Sequence, residues 1–234
     1  MNDPSVIPPT LTQAARQTLA AHGEIPDAVR VQMLATEHWS LLATRGAMWN
    51  EAFSRAAMFI TVLSAAVVAL ALVAQATAFG PSFRLFALLV LPIVLLVGVG
   101  TVMRLGNINS DDFYWVLGMN RLRHAYLELA PELEPYFVTS HFDDEASIMA
   151  SFGLNATLRF SRILAGTPTV VGAINVVVVG VLAALIADTA GASTLIDVIA
   201  GSAAALLAVV GFCALAFTTI QNARHGYQPR FPHP

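Results

Sequence analysis

Hydrophobic positions along this chain fall into two kinds of run. In the first kind, no charged residue occurs between Arg55 and Arg84, Arg84 and Arg104, Arg162 and Asp188, or Asp197 and Arg224, and each stretch is dense in Ala, Val, Leu and Ile. A hydrocarbon core about 30 Å thick is crossed by about 20 apolar helical residues, so these stretches predict membrane spans at 57–78, 84–103, 166–187 and 196–219. Four helices apolar all round leave too little protein in 234 residues to bury them, which argues against a soluble core.

The second kind of run is broken by charges at helical spacing. Met33, Leu34, Trp39, Leu41, Leu42, Trp49, Ala52 and Phe53 form a broad apolar stripe in a segment, 28–55, without proline. This predicts one helix running unbroken into the first span, with Glu51 and Arg55 paired on its exposed face. Trp39 lies about 27 Å ahead of the span along a straight helix, too far for an interfacial anchor, and is read as packing on another helix. After the second span, Asn109, Ser110, Asp111 and Asp112 have helix-start chemistry and predict that a helix starts or restarts there. It should stop near Pro131, with Pro135 preventing resumption. Its apolar positions wrap widely enough to demand burial against more than one helix, most simply the one before the first span. A further helix is expected to begin at Ser140 to Asp143 and to lead through Ile148, Phe152, Leu154 and Phe160 towards the third span.

The fold class expected is therefore an all-α integral membrane protein, four transmembrane helices extending into a small cytoplasmic helical bundle. Its parts are N-terminal helices (1–56), a first hairpin (57–104), a cytoplasmic helical segment (105–163), a second hairpin (164–221) and a tail (222–234). Composition agrees: 56% of residues are hydrophobic, 12% are charged, and mean hydropathy is +0.68. Arginine position sets orientation. Arg45, Arg55, Arg104, Arg121, Arg123, Arg159, Arg162, Arg224 and Arg230 share one side, whereas the other has only Arg84 with Asp188 and Asp197. Positive loops are retained inside, so both termini are expected in the cytoplasm. The first ten residues lack the basic-then-apolar pattern of a cleaved signal, and the first span is expected to direct its own insertion.

Little chemistry is left open. One cysteine excludes an intrachain disulfide and multi-cysteine metal centres. All twelve basic residues are arginine, so no lysine is present for a phosphate loop or a Schiff base. The arginine bias, with abundant Ala and Val, suggests a bacterial genome rich in G and C. A net charge of -3 gives no footprint for nucleic acid. No catalytic, cofactor or metal residue is assigned, and no cofactor is expected. His141, Asp143, Asp144 and Glu145 are too closely spaced for a calcium loop and read as helix-start acids on a solvated face. Arg121, Arg123 and His124 are candidate contacts for an anion or a lipid headgroup, set against a plainer role in cytoplasmic retention and pairing with Glu128. His38 beside Glu37 has no nucleophile at a useful spacing. Within the spans no ionisable residue lies at mid-depth, which argues against a proton relay or an ion-coupled transporter. Asn175, Gly201 and Ser202 are candidates for helix packing or pore lining, with packing preferred. Gly98, Gly100 and Gly172 allow close approach, Pro92 should bend the second span, and Cys213 reads as a small buried residue.

The runs EHWSLLATR (37–45), EAFSRAAMF (51–59) and MNRLRHAYLELAPELEPYF (119–137) resemble an uncharacterised family of bacterial four-span membrane proteins. That resemblance implies a bacterial inner-membrane protein and carries no activity or site residue. In layout alone, residues 28–130 also resemble SLATT-type two-span effector domains, from which two extra spans depart. The expected function is a non-enzymatic scaffold or signalling component acting through self-association and cytoplasmic helix contacts; the alternative is an oligomeric channel or pore-forming effector. Expected partners are the lipid bilayer, further copies of the chain and a cytoplasmic protein.

Overall fold

The computed structural model describes residues 25–152, 166–224 and 227–234. All regular structure among them is helical: α1 (Asp27–Thr77), α2 (Pro81–Leu129), a 3-10 turn (Pro131–Tyr136), α3 (Glu145–Ser151), α4 (Thr167–Thr189) and α5 (Thr194–Arg224). α1, α2, α4 and α5 are each long and apolar enough to cross a membrane.

α1 and α2 are far longer than a bilayer requires. With 51 and 49 residues they extend about 76 and 74 Å at 1.5 Å per residue, more than twice a hydrocarbon core. The first matches the unbroken helix expected from 28–55 onward. The second corrects the expectation of a restart at Asn109 to Asp112, because α2 passes through this stretch intact. Ser110 does not cap a new helix: its hydroxyl donates back to the Gly106 carbonyl at 3.2 Å, and Asp112 turns to Arg45 of α1. α2 also continues through Pro92. It ends where proline chemistry says it should, at Leu129, before the 3-10 turn that holds Pro131 and Pro135.

The hairpins turn tightly. Ala78 and Phe79 take left-handed φ of 46° and 58° between α1 and α2, and Gly191, at φ 82°, lies between α4 and α5. α2 is the central helix, packing most extensively against α1 and then α4 and touching α5, while α4 pairs with α5. Across the spans, Phe59 and Ala66 of α1, Leu91 and Val94 of α2, and Val171 and Val178 of α4 form one core. Much of the remaining leucine and valine surface faces outward, as a lipid-bathed protein permits. A second, smaller core lies beyond the spans: Phe113, Val116, Leu117 and Met119 of α2 close on Ile148 of α3, with Leu41 of α1 and Tyr227 packed against them.

At the turn end of the hairpins Arg84 reaches Asp188 at 3.0 Å, tying the α1–α2 turn region to the end of α4. These are two of the three charged residues that the arginine pattern puts on the outer side. At the other end the helices are tied by Arg45, whose Nε and Nη2 donate to the two carboxylate oxygens of Asp112 at 2.6 and 3.0 Å. Arg104 makes the same forked contact with Glu51 at 2.9 and 2.7 Å, and Arg55 adds a third donor at 2.8 Å. The Glu51–Arg55 pair expected from spacing is thus one arm of a bridge between helices.

Candidate functional site

Polar chemistry concentrates on the part of α2 beyond the second span and on the turn that faces it. Asn120 is fully buried; its Nδ2 donates to the Phe142 carbonyl at 2.8 Å and its Oδ1 accepts from Arg123 at 2.8 Å. Arg121 donates through Nε to Asp143 at 2.8 Å, and His124 stacks on Phe231 with ring centroids 4.1 Å apart. The three basic residues proposed as a headgroup contact therefore diverge: Arg121 serves Asp143, Arg123 serves Asn120, and His124 lies under an aromatic ring. The pairing expected with Glu128 exists only for His124, at 3.8 Å.

The His141–Glu145 run holds a correction. Asp144 behaves as expected, capping α3 by accepting from the Ser147 N–H and hydroxyl at 3.0 and 2.8 Å. Asp143 does not lie on a solvated face: it is 0% exposed. Its carboxylate accepts the main-chain N–H groups of Phe231 (2.7 Å, Oδ1) and Arg230 (2.9 Å, Oδ2) besides Arg121, and its own N–H donates to the Phe231 carbonyl at 3.0 Å. The His233 N–H donates to Asp144 at 3.1 Å. Burial pushes the Asp143 carboxyl up, but the Arg230 N–H, the Arg121 guanidinium and the Phe231 N–H together hold it below the ordinary aspartate value. At Asp144, burial is likewise outweighed by Ser147 and His233. Among the described residues no group of three metal-ligating side chains forms.

The site is thus a seat for the segment 227–234. Three of its residues are proline, at 229, 232 and 234, and proline has no N–H to give. The N–H groups left between Pro229 and Pro234 belong to Arg230, Phe231 and His233, and all three end on Asp143 or Asp144. Aromatic contacts complete the seat: Tyr227 meets Phe113 edge-on at 5.7 Å, and Phe142 meets His233 at 4.7 Å. The Tyr227 hydroxyl is buried without a partner; burial and the nearby Asp143 charge push its pKa up to about 12. Sequence reasoning treated 222–234 as a plain tail. The usable signal was the alternation of proline with N–H-bearing residues.

Asn175, Gly201 and Ser202 come apart in the structure. Asn175 is fully buried at the contact of α4 with α2, its Nδ2 bonded to the Val171 carbonyl at 2.8 Å. It fits only because position 98 has no side chain: a Cβ there would overlap Asn175, with Nδ2 at 2.6 Å and Cγ at 2.7 Å. Gly201 faces Gly180 so closely that a Cβ would stand 2.8 Å from the Gly180 carbonyl oxygen. Ser202, next along α5, faces outward, so no single lumen within one chain is lined by both Asn175 and Ser202. A Cβ at Gly172 or Gly100 would meet nothing within 4 Å. Cys213, expected to be buried, is exposed on α5. Trp39, expected to pack on a helix, is 71% exposed. His38 stacks on Tyr126 at 6.0 Å, and burial followed by the Arg123 charge lowers its pKa.

No protein-family model matches the chain, and neither a curated protein nor a solved structure is similar to it.

Proposed function

We propose that this is a non-enzymatic component of a bacterial inner membrane, with both termini in the cytoplasm, which self-associates and couples contacts on a cytoplasmic helical extension to the packing of its spans. The observation that carries the reading is continuity. α1 and α2 pass without interruption from span to extension, and Arg45–Asp112 and Arg104–Glu51 lock them together on the way. A helix pair tied in this manner moves as a unit, so a displacement at its far end reaches the spans undamped by a hinge. Self-association is supported by the outward apolar side chains of α1 ahead of its span: Met33, Trp39, Leu42 and Phe53 are all exposed within one chain. A second copy anchored in the same membrane would meet them at the same height.

The test is the mass of the protein in a mild detergent by light scattering, with bound detergent subtracted. A dimer or larger assembly that shifts towards monomer in a Trp39→Ser, Phe53→Ser double variant is expected. A wild-type chain that stays monomeric at every concentration overturns the reading.

A further inference from the structure

The seat for 227–234 is built entirely from other parts of the chain: Asn120, Arg121 and His124 on α2, and Phe142, Asp143 and Asp144 on the turn before α3. The segment itself contributes N–H groups and rings, with no side-chain hydrogen bond or ion pair to the seat among the described contacts. The segment bends at Arg230 and Phe231, which turns both N–H groups towards one carboxylate, so main-chain groups hold it while its rings pack on the seat. Prolines at 229, 232 and 234 restrict the segment beforehand, lowering the entropy lost on seating.

We infer that the seat is a peptide-binding site for a proline-flanked segment that bends at an aromatic residue, in the register Xaa-Phe-Pro-His, and that the 227–234 segment is its resident, replaceable ligand. Two observations fix the ligand class. The Asp143 carboxylate takes two successive main-chain N–H groups and returns its own N–H to the Phe231 carbonyl, so one backbone bend is held at a set register. The ring of Phe231 lies almost flat over His124, with 24° between planes, which asks for an aromatic side chain at that register. A proline follows at 232, a position that offers no N–H. This inference deepens the proposed coupling function by naming the partner as a peptide: occupancy is felt by Phe113 and His124, whose rings meet Tyr227 and Phe231, and by Arg121 through Asp143, all on the helix that continues into the second span.

The experiment uses the full chain in detergent and a fluorescent synthetic peptide of residues 227–234, followed by anisotropy. Wild-type chain should bind it weakly, because the resident segment competes. Phe231→Ala, which loosens the resident segment and leaves the seat intact, should tighten binding by about tenfold or more. A peptide N-methylated at the phenylalanine corresponding to Phe231 loses one charge-assisted hydrogen bond and should bind about tenfold or more weakly to that same variant. Because only the peptide changes, this comparison does not depend on how any seat variant folds. No binding to the Phe231→Ala chain, or equal binding of the N-methylated or a scrambled peptide, overturns the peptide site; neither result bears on the assembly mass that tests the coupling reading.

Discussion

Single residues decide how closely these helices approach. At position 98 a methyl group would have to occupy the space of the Asn175 amide, so Gly98→Ala should lower the thermal midpoint in detergent by the equivalent of about 1–3 kcal/mol, the ordinary cost of overpacking. Gly100→Ala, with nothing in reach of its new carbon, should change it by less than about 0.5 kcal/mol. Combining Gly98→Ala with Asn175→Ala should recover most of the loss, since the two side chains compete for one volume; an additive double variant would show that the contact is not what limits the site. Titration at the peptide seat is also a single-residue matter. Asp143 and Asp144 have folded pKa values below 3.8, so their contribution is full above that value and is lost as pH falls through the lower folded values. Tyr227 works at the other extreme: its folded pKa, about 12, exceeds that of a free tyrosine, so its contribution is full below about 10 and is lost as pH rises through 12. A dye on Pro234→Cys, in a Cys213→Ser background, should therefore lose anisotropy as pH falls through the lowered Asp143 and Asp144 values, and again as it rises towards 12.

Elements were legible in the sequence where one force dominates. Charge-free stretches located all four helices that are long and apolar enough to cross a membrane, because lipid imposes length and apolarity on any helix that crosses it. Pro131 ended α2 as steric reasoning requires. What escaped was any feature whose meaning depends on a distant partner. Asp111 and Asp112 have the local chemistry of a helix start, yet Asp112 is buried against Arg45 of α1 and the helix runs through it. Asp143 looked like a solvated acid because its ligands lie almost ninety positions later in the chain. The Arg45–Asp112 tie can be tested on its own. Asp112 has a side chain only 3% exposed, so Arg45→Met should leave its charge without a partner and destabilise by about 3 kcal/mol. Replacing both residues, Arg45→Met with Asp112→Leu, should cost far less, since the buried charge disappears with its partner. Chemical denaturation of the purified variants distinguishes the two; equal losses would mean that the ion pair itself supplies the stability.

At the scale of the whole molecule the two hairpins are fastened at both ends. Arg84 and Asp188 join them on the turn side, and the 227–234 segment beyond α5 returns to α2 and its neighbouring turn on the other. Between these points α4 seals Asn175 against Gly98, and α5 closes on α4 through the Gly180–Gly201 approach. This arrangement gives the arginine asymmetry a structural counterpart, because the residues read as outer, Arg84 and Asp188, meet at one end, while Arg45, Arg104, Arg121 and Arg230 lie towards the other. The orientation then predicts which loops an impermeant reagent can reach. In a Cys213→Ser background, Ser193→Cys in the turn between α4 and α5 should react with an impermeant maleimide on intact cells, whereas Glu132→Cys in the 3-10 turn should react only after the membrane is opened. The reverse pattern would place the peptide seat outside the cell, where a cytoplasmic partner could not reach it, and would overturn the arginine-based topology together with the direction of coupling that follows from it.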